Sequence, residues 1–243
     1  MPNLGRIPSP DLRDKNFLMR RKLAAPGAAA LPVSKTWAMS GISLDQKDTS
    51  TCVGHAWRNF LRCTPIRTEK GGPSAFDIYR EAVKLDEWAS NDSEATLPDF
   101  DPGLSSGTSV RAGAEAVTND GRLKSYLWAF DLQSVIEWVL TKGPVVLGTN
   151  WYSSLFNPDA KGICKITPTA TIVGGHAYLL RGVNTKTALA LCSNSWGDSW
   201  GRSGEFYVPL ADLERLIHEN GESCTAIEAQ LKPANPKPPG ANA

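Results

Sequence analysis

The sequence predicts an α+β fold in two lobes, and three observations predict it. The first half repeats apolar residues at helical spacing. The stretch after Gly143-Pro144 breaks into short β-prone segments, and one late helix interrupts them. Helices first and strands later give two halves that meet at a cleft. At 243 residues and 41% apolar, the chain can bury a sizeable core without a disulfide staple. Its 26 basic and 25 acidic residues leave a net charge of +1, which argues against nucleic-acid or acidic-membrane partners. No apolar run approaches the roughly 20 residues that a membrane-spanning helix needs.

Residues 1–30 read as an N-terminal arm and linker. Prolines at 2, 8 and 10 are followed by the alanine-rich stretch from Leu23 to Ala30. Ile7, Leu12, Phe17 and Leu18 offer apolar anchors, so the arm is expected to pack on the rest of the chain and partly restrict the cleft. Residues 31–231 form the folded domain, helical to about 140 and β-rich over about 141–231. Residues 232–243 are a proline-rich, flexible tail. Val53, Ala56, Trp57, Phe60 and Leu61 form one face of a helix over 52–64. Ser74 caps a second helix carrying Phe76, Tyr79, Ala82 and Val83. A third starts near Thr108 or Ser109, and a fourth runs from about Asp131 with Leu132, Val135, Ile136 and Val139 on one side. Strands are expected at 145–147, 176–183, 187–193 and 205–208, with the late helix at 210–218.

The cysteines stand at 52, 63, 164, 192 and 224, too few for a disulfide scaffold and odd in number. Arg20-Arg21-Lys22 before the alanine run mimics a signal sequence only loosely, because it lies deep in the chain and Pro26-Gly27 interrupts it. The expected compartment is therefore cytoplasmic and reducing, with Cys164 and Cys224 unbridged.

Cys52 opens the best helix after a polar run that contains Gln46. Free N–H groups and the positive dipole end there favour thiolate over thiol. A thiolate needs an imidazole to share its proton and a group to orient that imidazole. Of the three histidines, His176 follows Gly174-Gly175 at a strand start, and Asn194-Ser195-Trp196-Gly197 comes shortly after it. Cys52-x-x-His55 is at most half a zinc site without further ligands, so no metal is expected and His55 reads as a core or cleft histidine. No cofactor is expected either. His218, late in its helix, reads as a solvated residue.

These residues resemble the papain-like cysteine peptidases, in particular their compact bacterial and phage members. Gln46 six residues before Cys52 resembles the family's oxyanion glutamine and nucleophile, and Gly175-His176-Ala177 its histidine strand. Asn194-Ser195-Trp196-Gly197-Asp198-Ser199-Trp200-Gly201 is similar to its Asn-Ser-Trp-Gly-x-x-Trp-Gly signature, followed by Gly204-Glu205-Phe206-Tyr207. The likeness covers about 31–230. It implies a helical lobe carrying Cys52 and a β-barrel-like lobe carrying His176, with the active site between them. It further implies attack by Cys52, proton transfer by His176, orientation by Asn194 under the cover of Trp196, and an oxyanion hole from Gln46 and the Cys52 N–H. Gly107, Thr108 and Ser109 occupy the place of the segment that pairs with substrate backbone.

The resemblance predicts a peptidase acting as a monomer on a peptide or protein substrate. Two other classes share these residues or this fold: a thiol amidase or transferase on a non-protein substrate, and a catalytically idle binding protein. The chain departs from the family at Thr49-Ser50-Thr51-Cys52-Val53, which lacks the usual upstream cysteine and the tryptophan after the nucleophile. An ion pair between Cys52 and His176 is expected to hold the thiol well below about 8.5.

Overall fold

Side-chain caps and apolar spacing set the helices of this computed structural model, which describes residues 3–23, 30–66, 72–86, 107–119, 121 and 123–228. Helix α1 (Cys52–Leu61) buries Val53, Ala56, Trp57, Phe60 and Leu61, the predicted face. Helix α2 (Ala75–Leu85) starts at a capping box: Ser74 Oγ accepts from Asp77 N at 3.1 Å, and the Asp77 carboxylate accepts from Ser74 N at 3.0 Å. Helix α3 (Val110–Asn119) begins where Ser109 Oγ accepts from Ala112 N, and α4 (Leu132–Thr141) where Asp131 accepts from Ser134 N at 2.7 Å. Helix α5 (Leu210–His218) ends with His218 exposed. The linker at 24–29, Ser106 and the tail at 232–243 lie outside the described residues.

Among the described residues seven strands form one antiparallel sheet: β1 (Ser34–Thr36), β2 (Leu123–Ala129), β3 (Val145–Tyr152), β4 (Ile172–Asn184), β5 (Leu189–Ser193), β6 (Glu205–Pro209) and β7 (Glu222–Glu228). Their order is β2-β7-β3-β4-β5-β6, with β1 paired to β4. Alternation along β3 and β4 sends Val146, Ala177 and Leu179 to a cluster with α1 and α3. Val145, Leu147, Tyr178 and Leu180 go to a second cluster with α4 and α5. The central strands are thus buried on both faces, which is why His176–Leu180 shows no polar alternation.

Three strands depart from the sequence expectation. β1 and β2 precede Pro144, and β7 follows α5. Helix α4, expected with the helical half, packs instead in the cluster under β3–β6, because Val135, Val139 and Leu140 face Val145 and Leu147. All five cysteines are free and buried. No helix among the described residues is long and apolar enough to cross a membrane.

Candidate active site

The predicted site residues converge where the start of α1 meets the start of β4. Cys52 opens α1 and is fully buried. The backbone N–H groups of Ala177, Gly5 and Val53 face its sulfur, so the thiol lies beside the residue that follows His176. The His176 ring is held between Trp151, edge-on at 4.8 Å, and Trp196, stacked at 4.6 Å. Its Nε2 pairs with Asn194 Oδ1 at 2.7 Å, and its Nδ1 has no hydrogen-bond partner among the described residues. With Nε2 donating to the amide oxygen, the neutral imidazole keeps Nδ1 as an acceptor.

Gln46 is brought to the site by backbone pairing with the Asn-Ser-Trp-Gly segment. Its N–H donates to Ser195 O at 2.8 Å, and Gly197 N donates to Leu44 O at 2.9 Å. Gly197, at φ 77°, lies against Asp45 where a Cβ would crowd the carboxylate. Ser195 Oγ donates to Gln46 Oε1 at 2.6 Å, which orients the amide so that Nε2 faces Thr49 O and Asn3 O. Trp200 donates from Nε1 to Phe156 O and packs edge-on against Trp196. His55 is a buried core residue, with Nδ1 2.9 Å from Thr51 O and its ring against Phe76. Among the described residues no group of three or more His, Cys, Asp or Glu is placed to hold a metal.

Gly107, Thr108 and Ser109 form the opposite wall. A carboxylate that the sequence does not flag braces it: Asp86 Oδ2, just past α2, accepts from Thr108 Oγ1 and Ser109 N, both at 2.8 Å. Its only sequence signal is its place at a helix end. Asp86→Ala leaves two buried donors unmet, at about 1–3 kcal/mol each. A large rise in KM with kcat nearly kept is the expected result, and unchanged KM in steady-state assays would rule out the bracing role.

The arm lies in the cleft between these walls. Gly5 N and Arg6 N donate to Gly175 O, at 3.2 and 3.0 Å. Ile7 N donates to Thr108 O at 3.0 Å, Thr108 N to Gly5 O at 2.9 Å, and Gln46 Nε2 to Asn3 O at 3.0 Å. Arg6 and Thr108 form a parallel bridge. Gly107, at φ 109°, admits this approach, since a Cβ there would overlap the Gly5 carbonyl. Further along, Asp14 pairs with Arg111, Leu18 bridges to Trp128, and Met19 is fully buried in the core. Open cavities of about 700 and 550 Å³ contain none of the candidate site residues, and a smaller one of about 120 Å³ is lined by Asn194.

Coverage changes the electrostatics that the sequence implies. Burial pushes the Cys52 thiol up to about 11, against the pull of three backbone N–H groups, and pushes His176 down to about 4. The expected low thiol titration is therefore not a property of this covered arrangement, in which both groups are neutral. Desolvation outweighs the helix end because Cys52 is fully buried, with the Gly5 N–H of the arm facing its sulfur.

A family model described as papain family cysteine protease matches residues 104–224. Among solved structures the chain is similar to xylellain, a cysteine protease from Xylella fastidiosa. The identity is 19% and the TM-score 0.70, covering 94% of this chain and 97% of that one. It is also similar to a digestive procathepsin L2 proteinase from Tenebrio molitor larval midgut, at 18% identity and TM-score 0.61, covering 93% and 78%. The proform of Amb a 11, a cysteine protease and major ragweed pollen allergen, matches at 16% and 0.57, covering 84% and 67%. No curated protein matches the sequence. Fold and family match together place the chain among the papain-like cysteine proteases. They indicate a peptidase, a hydrolase.

Proposed function

We propose that the chain hydrolyses peptide bonds with Cys52 as nucleophile and His176 as its proton partner, and that the arm keeps the site covered until it is displaced. The observation that supports this reading is the 2.7 Å His176–Asn194 bond, which leaves Nδ1 as a buried imidazole atom with no partner among the described residues, while the N–H of the adjacent Ala177 faces the Cys52 sulfur. Once the cleft opens, the Cys52 proton passes to Nδ1 and the sulfur attacks the peptide carbonyl carbon. The oxyanion is met by Gln46 Nε2 and the Cys52 N–H, a donor of this kind contributing about 3 kcal/mol. As the C–N bond breaks, the imidazolium protonates the leaving amine. A water then gives its proton to His176 and hydrolyses the thioester. Gly107–Ser109 offers backbone groups to the substrate, and Trp196 shields the His176–Asn194 pair. Of the arm at 1–30, residues 3–7 are the cover and 12–22 the anchor. The domain at 31–231 carries the chemistry.

The test is labelling, in a chain whose arm is displaced by Gly5→Ala (a Cβ there would meet Ser50 O), by an epoxide that alkylates papain-type thiolates, with Cys52→Ala in the same chain as control. Labelling that vanishes with Cys52→Ala and accompanies peptide cleavage is expected. A folded chain with no Cys52-dependent labelling would be a catalytically idle protein, and labelling without cleavage of any peptide would favour an amidase or transferase.

Asn194→Ala is expected to spare the epoxide reaction while slowing turnover about 10- to 100-fold, since the imidazole loses the partner that fixes its tautomer. Equal losses in labelling and turnover would show that Asn194 does not act through His176.

A further inference from the structure

We propose that the pocket now filled by Arg6 is a substrate subsite for a basic side chain, arginine above lysine, with Glu222 as its charged floor. This rests on the peptidase reading and adds a substrate class to it. The Arg6 side chain is fully buried, its Nε 2.8 Å from Glu222 Oε2 and its Nη2 donating to Asn220 O at 2.6 Å. Its stem runs over two glycines. A Cβ at Gly148 would come within 3.1 Å of Arg6 Cγ and Nε, and one at Gly175 within 3.1 Å of Cδ. At these two positions the pocket is a slot in which the missing side chains leave room for an extended arginine stem.

Its place fixes what it serves. Arg6 is the residue whose N–H meets Gly175 O and whose neighbours on both sides pair with Thr108. A peptide seated on the same backbone groups puts one side chain into the same slot. When the arm leaves, Glu222 at the slot's end loses the Arg6 partner it is buried with, and removing one member of a buried pair is strongly unfavourable. Arg111, the other cation that acts on Glu222, is engaged by Asp14. A substrate cation restores the pair. Arginine reaches both acceptors through two nitrogens of one rigid plane, whereas a lysine ammonium is a single point charge on a flexible stem.

The experiment uses full-length chains with Gly5→Ala and Arg6→Ala combined, so that neither the arm backbone nor its arginine occupies the slot, with and without Glu222→Gln. Fluorogenic peptides differ at one position only, carrying arginine, lysine or norleucine. With Glu222 present, kcat/KM for arginine is expected to exceed that for norleucine at least about ten-fold at one position. Glu222→Gln is expected to collapse that ratio toward one. Cleavage with no arginine preference, or a preference that survives Glu222→Gln, overturns the subsite and leaves Arg6 as a latch of the arm alone. A binding measurement stands apart from turnover: ethylguanidinium is expected to raise Tm while Glu222 is present and to leave Tm unchanged in the Glu222→Gln chain. Ethylguanidinium binding in a folded chain that neither labels nor cleaves would sink the peptidase reading and the subsite with it. Cleavage without such binding would sink the subsite only.

Discussion

Gly5→Ala is expected to raise the rate of Cys52 alkylation at pH 7 by at least about 30-fold. A Cβ at Gly5 would overlap the Ser50 carbonyl oxygen, and the clash is with backbone, so the arm and not the wall must give way. The segment it displaces excludes water from a thiol held at about 11. At pH 7 such a thiol is about 0.01% thiolate, whereas one at the ordinary value near 8.5 is about 3%. The roughly 300-fold gain in thiolate is partly offset, because nucleophilicity falls as the pKa falls, by about ten-fold over this range. Better access and an ion pair with His176 add to the remainder. The pH profile should change as well. The intact chain should react in one alkaline step, and the opened chain from well below about pH 8. Equal alkylation rates in intact and Gly5→Ala chains, both folded, would show that the arm does not gate the sulfur. Removing residues 1–30 outright is a coarser test, since Met19 is fully buried and Leu18 nearly so, and their loss also opens the core.

The contacts behind this prediction divide into those the sequence displays and those it hides. Gln46, Cys52, His176 and Asn194 were legible because the chemistry demands particular residue types in a fixed order, and Trp196 travels with them in one motif. Helices α1, α2 and α4 were legible from apolar period and from Ser74 and Asp131. β7 was not, because its Glu222, Ser223 and Thr225 look like a surface segment. They are buried because β2 and β3 pair with it on either side, while Thr225 Oγ1 donates to Pro144 O at 2.9 Å. β2 was hidden for a similar reason: its burial does not alternate, so neither period stands out. Nor does α4's apolar face say which cluster it joins. The arm was legible as an arm from its prolines, but its seat depends on Glu222, 216 residues from Arg6, and no local pattern carries that pairing.

Acid is expected to unfold the protein chiefly through His176. Burial lowers its titration from 6.5 to about 4. The sign follows from proton counting. Below pH 6.5 the unfolded chain protonates this imidazole while the folded chain does not, so stability is full above 6.5 and is lost as pH falls toward 4. Holding the titration that far down corresponds to about 3 kcal/mol at most. His55, also lowered by burial, acts in the same direction. Glu222 and Asp14 act in the opposite one. Burial raises both, so the folded chain takes up their protons first, and their stabilisation grows as pH falls. The contributions separate with His176→Gln, which keeps a polar side chain near Asn194 and cannot titrate. Between about pH 6.5 and 4, denaturant unfolding should show a stability loss smaller by about 3 kcal/mol in the variant than in the parent, whatever the offset between the two curves. Parallel curves across that window would mean that His176 is charged in the folded chain. The neutral thiol–imidazole pair beneath the arm would then be the wrong description of the covered site.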